Sequence, residues 1–315
     1  MEPKDDCGEF PSARTASFAC REKPRSVPRI SEADSETDNA MCDYIPDEIA
    51  FTRYLYPKVF VKQSIMLALL EHNYDETMFW TYELYFSGFE DETYDFIFKL
   101  YNDIYRYDNN PKLIKFMEFT RDVWYTNSLQ YWLIGSIVAT LCYCNFRLDK
   151  FVENYFKVHC SHIEQPQKRL VIIQLCQQDV REYKINRHVD PPRNYLGLVC
   201  KYPIRNNMNR LFMSDIPDLH NKWYYNWEFY AGQSPLWQER FDDFHARINM
   251  KEQKVKFEDE DWKEAFYERW NLEPDEQSLE MQHIILGNKE EKQLSLKEFC
   301  QKYGCPLLTK LIRRP

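Results

Sequence analysis

Two groups of soft, metal-competent side chains stand out in the chain, Cys142-Tyr143-Cys144 and His159-Cys160-Ser161-His162. Thiolate and imidazole are donors that zinc favours, and a turn between two helices would bring the groups together. On a helix, however, Cys142 and Cys144 point about 200° apart, so they cannot share one ion unless the helix ends there. Buried thiols and surface histidines are the expected outcome. His162-Ile163-Glu164 matches half of a zinc-deaminase signature, but no Pro-Cys-x-x-Cys follows it, and Cys305-Pro306 has the reverse order. Cys300 and Cys305 frame Tyr303-Gly304 and could form a redox pair.

Carboxylates are plentiful, but general acid and base catalysis needs a cleft that raises one pKa, and spacing alone does not provide one. Glu76 and Glu83 read as a solvated stripe along a helix. Glu258-Asp259-Glu260-Asp261 reads as the acidic first turn of a helix, with a docking patch for a basic partner as the alternative. From Arg181 to Arg210 the balance is basic, and Arg187, Arg193, Lys201, Arg205 and Arg210 are the candidate patch for a partner or for nucleic acid. Tyr183, Tyr195 and Tyr202 lie among these bases, an interleaving used to bind single strands. A positive connector that pairs with the protein's own acidic surface is the simpler reading.

Phosphate-loop, dinucleotide-fingerprint, nucleophile-elbow and His-Glu-x-x-His patterns are all missing from the sequence. No catalytic residue, cofactor or metal is therefore assigned, and the reading leans away from an enzyme. A net charge of -9 makes the average field repel nucleic acid and anionic membrane, which favours a protein partner. The 10 cysteines are scattered and the N-terminus has no apolar signal core, so reduced thiols and a cytoplasmic or nuclear setting are expected. Only 7 glycines serve 315 residues, too few for a many-stranded barrel with tight hairpins, and a mostly helical fold follows.

The elements that would position these residues begin after a polar, proline-containing tail over 1–43, predicted to be disordered. A helical core domain over 44–185 and an irregular, aromatic-rich region over 186–315, packed on that core, complete the expected organisation. Pro46-Asp47-Glu48 predicts a first helix to about Tyr56, and Val59 to Glu71 a second. Asn73 to Tyr105 predicts a hairpin of aromatic helices turning at Gly88, with Trp80 and Leu84 touching neighbours on a second side. Asp75-Glu76-Thr77 and Asp91-Glu92-Thr93 echo one another, each with Leu-Tyr seven residues on. Two copies fall short of a solenoid and indicate helix pairing only.

Further helices are expected from Pro111, and from Asn127 or Ser128 as a cap into the apolar run Tyr131 to Cys144. That run is about 14 residues, where a membrane span needs about 20, so it predicts a central buried helix approached closely at Gly135, Ser136 and Ala139. Leu148 to Val158 and Gln167 to Tyr183 also read as helices. Beyond the basic segment come the aromatic cluster Trp223 to Tyr230, a helix capped by Ser234-Pro235 and a strand at Lys254 to Phe257. A helix through Trp262, Phe266 and Trp270 and a last one near Leu296 to Tyr303 close the chain.

Phe79-Trp80-Thr81-Tyr82-Glu83-Leu84-Tyr85-Phe86-Ser87-Gly88-Phe89-Glu90, with Thr52-Arg53-Tyr54-Leu55-Tyr56 before it, resembles uncharacterised helical proteins of giant nucleocytoplasmic DNA viruses. The Trp237 helix and Glu258 to Asp261 are similar too. The resemblance implies a host-cell or virion setting and carries no catalytic residues. The sequence thus points to irregular stacked helical hairpins with at most a minor β element, in a helical interaction or scaffold protein. A nucleic-acid accessory protein using 181–210 and an enzyme with a carboxylate or thiol site are the alternatives.

Overall fold

Asn73 fixes where the central helix starts: its side-chain oxygen accepts from the Glu76 backbone N–H at 3.3 Å, pairing one of the donors that a first turn leaves free. Helix α1 (Lys58–Leu70) precedes it and α2 (Tyr74–Tyr85) follows, and the two pack on each other. Every α2 side chain from Glu76 to Tyr85 is buried. The two-sided packing expected at Trp80 and Leu84 therefore extends around the whole helix. The solvated stripe expected at Glu76 and Glu83 does not exist, because segments distant in sequence cover that face. After Gly88 (φ +88°), α3 (Glu90–Leu100) runs into a π-helical turn at Tyr101–Tyr105. A Cβ at Gly88 would lie 2.6 Å from Pro235 Cβ, so glycine meets both a left-handed backbone and a close approach.

This is a computed structural model, and it describes residues 49–107, 111–164, 166, 168–184, 194–270, 272, 274–288 and 290–308. The expected tail over 1–43, the start of the first predicted helix, and Arg187 and Arg193 lie outside the described residues. From residue 49 the predicted first helix is replaced by a buried loop. Phe51 bridges to Pro57, the Phe51 N–H donates to Tyr230 O at 3.0 Å, and Leu55 takes φ +63°. Tertiary pairing here outweighs local helix propensity, since the loop must send Phe51, Arg53 and Tyr56 into different parts of the core.

Helices α4 (Lys112–Thr126), α5 (Trp132–Cys142) and α6 (Asp149–Phe156) follow. Asn127, expected to cap α5, instead follows α4 and donates back to Val123 O and Trp124 O. The central helix α5 is buried from Ile134 to Cys142, as its run predicts. At Gly135 an added Cβ would lie 2.3 Å from the Tyr82 hydroxyl, which measures how closely α2 approaches. The predicted helix over Gln167 to Tyr183 shrinks to α7 (Arg181–Lys184). Upstream, the irregular residues 168–176 lie beside α5, where the Ile173 and Leu175 N–H groups donate to the Thr140 and Ser136 hydroxyls at 3.0 and 2.9 Å. Those side-chain acceptors replace helical hydrogen bonds.

The C-terminal region holds α8 (Tyr195–Val199), α9 (Leu219–Ala231), α10 (Pro235–Asp243), α11 (Glu260–Trp270), α12 (Leu279–Leu286) and α13 (Leu296–Lys302). Strand β1 (Ala246–Asn249) pairs antiparallel with β2 (Lys254–Phe257), Ala246 opposite Phe257 and Asn249 opposite Lys254. The aromatic cluster lies within α9, whose Trp223, Trp227 and Tyr230 recur at helical spacing and are buried. Ser234 caps α10 as expected, and Ser295 with Glu298 forms a full capping box on α13. Buried apolar residues from Ala50 to Cys305 form a single cluster, with Trp80, Trp223, Trp237, Phe266 and Phe299 wholly enclosed. The fold is mostly α with a minor two-stranded β element.

Candidate functional site

Glu71 follows the last turn of α1 and Glu76 lies in the first turn of α2, so the Asn73 turn aims two carboxylates the same way. Arg205 meets both. Its Nε and Nη2 donate to the two Glu76 oxygens at 2.7 and 2.5 Å, and its Nη1 donates to Glu71 Oε2 at 2.6 Å. Lys302 Nζ and the Tyr303 hydroxyl donate to the other Glu71 oxygen at 2.6 and 2.9 Å. Trp80 Nε1 and Asn73 Nδ2 complete the shell of Glu76 at 3.1 and 2.9 Å. Two cations thus balance two carboxylates, and the planar fork of Arg205 locks one of them bidentately. Burial opposes ionisation of Glu71, but the hydrogen bonds from Lys302 and Arg205 outweigh it and lower its pKa. For Arg205 burial likewise opposes the charge, while bonds to Glu76 and Glu71 raise its pKa.

A cleft of about 650 Å³ opens above this cluster. Leu67, Ile204, Met208 and Ile284 supply apolar lining, while Glu280, His283 and Glu291 line it as exposed residues. Four stretches of chain build it: the α1–α2 turn, residues 202–208, α12 with the loop after it, and the end of α13. The Ile204 N–H donates to Ile284 O at 2.8 Å and the Arg205 N–H to Ser64 Oγ at 3.1 Å, which hold residue 205 in place from both sides.

Three residues of the predicted basic patch, Lys201, Arg205 and Arg210, are among the described residues. Lys201 is exposed and pairs with Glu182 at 3.2 Å. Arg205 is bound in the cleft, and exposed Arg210 lines a separate recess of about 340 Å³ with Asp215, Asp218 and His220. The interleaved tyrosines face inward: Tyr195 is buried edge-on to Tyr54, Tyr183 stacks on Tyr82 at 4.9 Å, and Tyr202 packs against Phe79 at 5.2 Å. Arg205 had the right residue type to be noticed in the sequence; its partners Glu71 and Glu76, and the Lys302 that shares Glu71, are too remote in the chain for spacing to reveal.

Four other ionisable groups sit in unusual surroundings. Arg53 donates to Glu83 at 2.9 Å with both side chains enclosed, and the Tyr54 N–H joins the same carboxylate at 3.1 Å. Arg240 is packed between Trp237 and Trp270, its guanidinium carbon 4.4 and 4.0 Å from their ring centres, and burial pushes its pKa down to about 10. Glu228 accepts from the Tyr267 hydroxyl beside a recess of about 410 Å³, and burial pushes its pKa up to about 7. Glu228 carries no signal in the sequence, where it stands among the aromatic residues of α9.

Among the described residues no three His, Cys, Asp or Glu side chains gather to hold a metal ion. Burial pushes Cys142 up to about 12 and Cys144 to about 11, the inert thiols expected of packed cysteines. Cys160 lies apart from that pair, with its Sγ 3.6 Å from Cys305 Sγ. No described helix is long and apolar enough to cross a membrane. Comparison with family models, with curated proteins and with solved structures gives no match to this chain.

Proposed function

We propose that the protein is a helical interaction protein that receives a segment of a protein partner in the cleft above Arg205. One observation carries this reading: the cleft has apolar lining over an internally balanced ionic cluster, while the acids Glu280 and Glu291 remain exposed on it. Arg205 and Lys302 are already committed to carboxylates, so an anionic ligand would have to displace Glu71 or Glu76. A segment with an apolar anchor flanked by Lys or Arg meets no such obstacle and finds charge complementarity at the rim. The net charge of -9 supports a basic partner, and the resemblance to viral proteins would place that partner in a host cell or virion.

The test pairs affinity capture from the native cell with anisotropy titration of basic peptides carrying a central Leu or Ile. The wild-type chain is expected to bind in a salt-sensitive way, and Glu280→Lys with Glu291→Lys to weaken binding at least about tenfold without moving the melting transition. Equal binding by both proteins would remove the cleft from the interaction.

A further inference from the structure

Cys160 and Cys305 are 145 residues apart in the chain, yet their sulfurs are 3.6 Å apart. A short antiparallel ladder brings them together. The Ser161 N–H donates to Pro306 O at 2.9 Å, the Leu308 N–H to His159 O at 3.0 Å, and the Ile163 N–H to Gly304 O at 3.2 Å. Gly304, at φ +77°, turns the chain from α13 into this ladder. Cys300 on α13 is a third neighbour: its carbonyl accepts from the Cys305 N–H at 2.8 Å. All three are free and buried.

The ladder sets Cys160 opposite Leu307, which leaves Cys305 as its diagonal neighbour, and a disulfide needs its sulfurs about 2.05 Å apart, so the pair must close by roughly 1.5 Å. We propose that Cys160 and Cys305 form an oxidation-dependent disulfide latch that fastens residues 304–308 to residues 159–163. Hydrogen peroxide is the oxidant considered. Cys160 keeps 7% exposure where Cys305 has none, so it is the point of entry. Its thiolate attacks one peroxide oxygen, the O–O bond breaks, and Cys160 sulfenic acid and one water form. Cys305 sulfur then attacks the Cys160 sulfur, and the departing hydroxide takes the Cys305 proton as a second water. Two thiols lose two electrons and peroxide gains them. Burial raises the pKa of both thiols, so the latch closes slowly at neutral pH and faster as pH rises.

The latch lies beside the cleft without depending on its use. The α13 helix that leads into the ladder ends at Lys302, and Lys302 and Tyr303 both hold Glu71. Closing the disulfide therefore fixes one wall of the cleft in place.

The experiment uses the full chain, reduced, freed of reductant, exposed to hydrogen peroxide, alkylated and mapped by mass spectrometry. The expected product is one cross-linked peptide pair containing Cys160 and Cys305, 2 Da lighter than the reduced pair and reversed by dithiothreitol. Its melting midpoint should rise by about 5–10 °C, because so long a loop is closed. Cys300→Ala should keep the cross-link and Cys305→Ala should abolish it. If Cys305→Ala does not fold, the wild-type peptide map decides alone. A Cys300–Cys305 cross-link, or full alkylation of Cys160 and Cys305 under conditions that oxidise exposed Cys176, would overturn the proposal.

Discussion

Glu228 gives the clearest residue-level consequence of burial. Its folded pKa is about 7 against an ordinary value of 4.5, so between those limits the folded state binds more protons than the unfolded state. Stability is therefore complete at low pH with respect to this group and declines as pH rises through about 7. The cost of ionising Glu228 in place is on the order of 3 kcal/mol above that point. Glu228→Gln keeps an acceptor for the Tyr267 hydroxyl and removes the charge. Urea melts at pH 5 and pH 8 should show wild type losing stability between them and the variant losing less; parallel changes would mean that Glu228 is solvated. At Arg205 burial likewise opposes the charge, but hydrogen bonds to Glu76 and Glu71 outweigh it, so the guanidinium stays charged inside the molecule.

At the level of elements, the contact between α2 and α5 is set by Gly135, where a methyl group would meet the Tyr82 hydroxyl and displace it from its 3.1 Å bond to Tyr131 O. Gly135→Ala should destabilise by about 1–3 kcal/mol through overpacking. Adding Tyr82→Phe should recover part of that loss, because it removes the clashing oxygen. A double-mutant cycle in denaturant would reveal the coupling, and strict additivity would show that the helices part instead. The elements themselves were unevenly legible. Asn73, Gly88, Ser234-Pro235 and the α5 run gave starts, stops and burial because caps and periodicity are local properties. The irregular stretch beside α5 was not legible, because the hydroxyls that satisfy its backbone belong to a helix more than thirty residues earlier.

For the whole molecule, the two regions expected at 44–185 and 186–315 share one core. The Phe51 N–H donates to Tyr230 O, and Trp237 Nε1 donates to Thr52 O at 3.1 Å. A fragment comprising 44–185 would expose surfaces now covered by α9 and α10, and it should melt without a sharp transition. A cooperative melt of that fragment with the dispersed amide spectrum of a folded protein would show that the helical region folds alone.

Composition and local pattern are enough to specify a mostly helical chain with an aromatic core and where helices α1 to α3, α5 and α10 begin or end. Each of these follows from periodicity, glycine placement or capping within a few residues. Packing between distant segments is what buries Glu76 and Glu83, closes the ionic cluster of Arg205, Glu71, Glu76 and Lys302, and sets Cys160 against Cys305. A polar stripe on a helix looks the same in sequence whether water or a distant arginine covers it. The choice is made by contacts that span 30 residues for Arg53 with Glu83 and 129 for Arg205 with Glu76, which local pattern does not record.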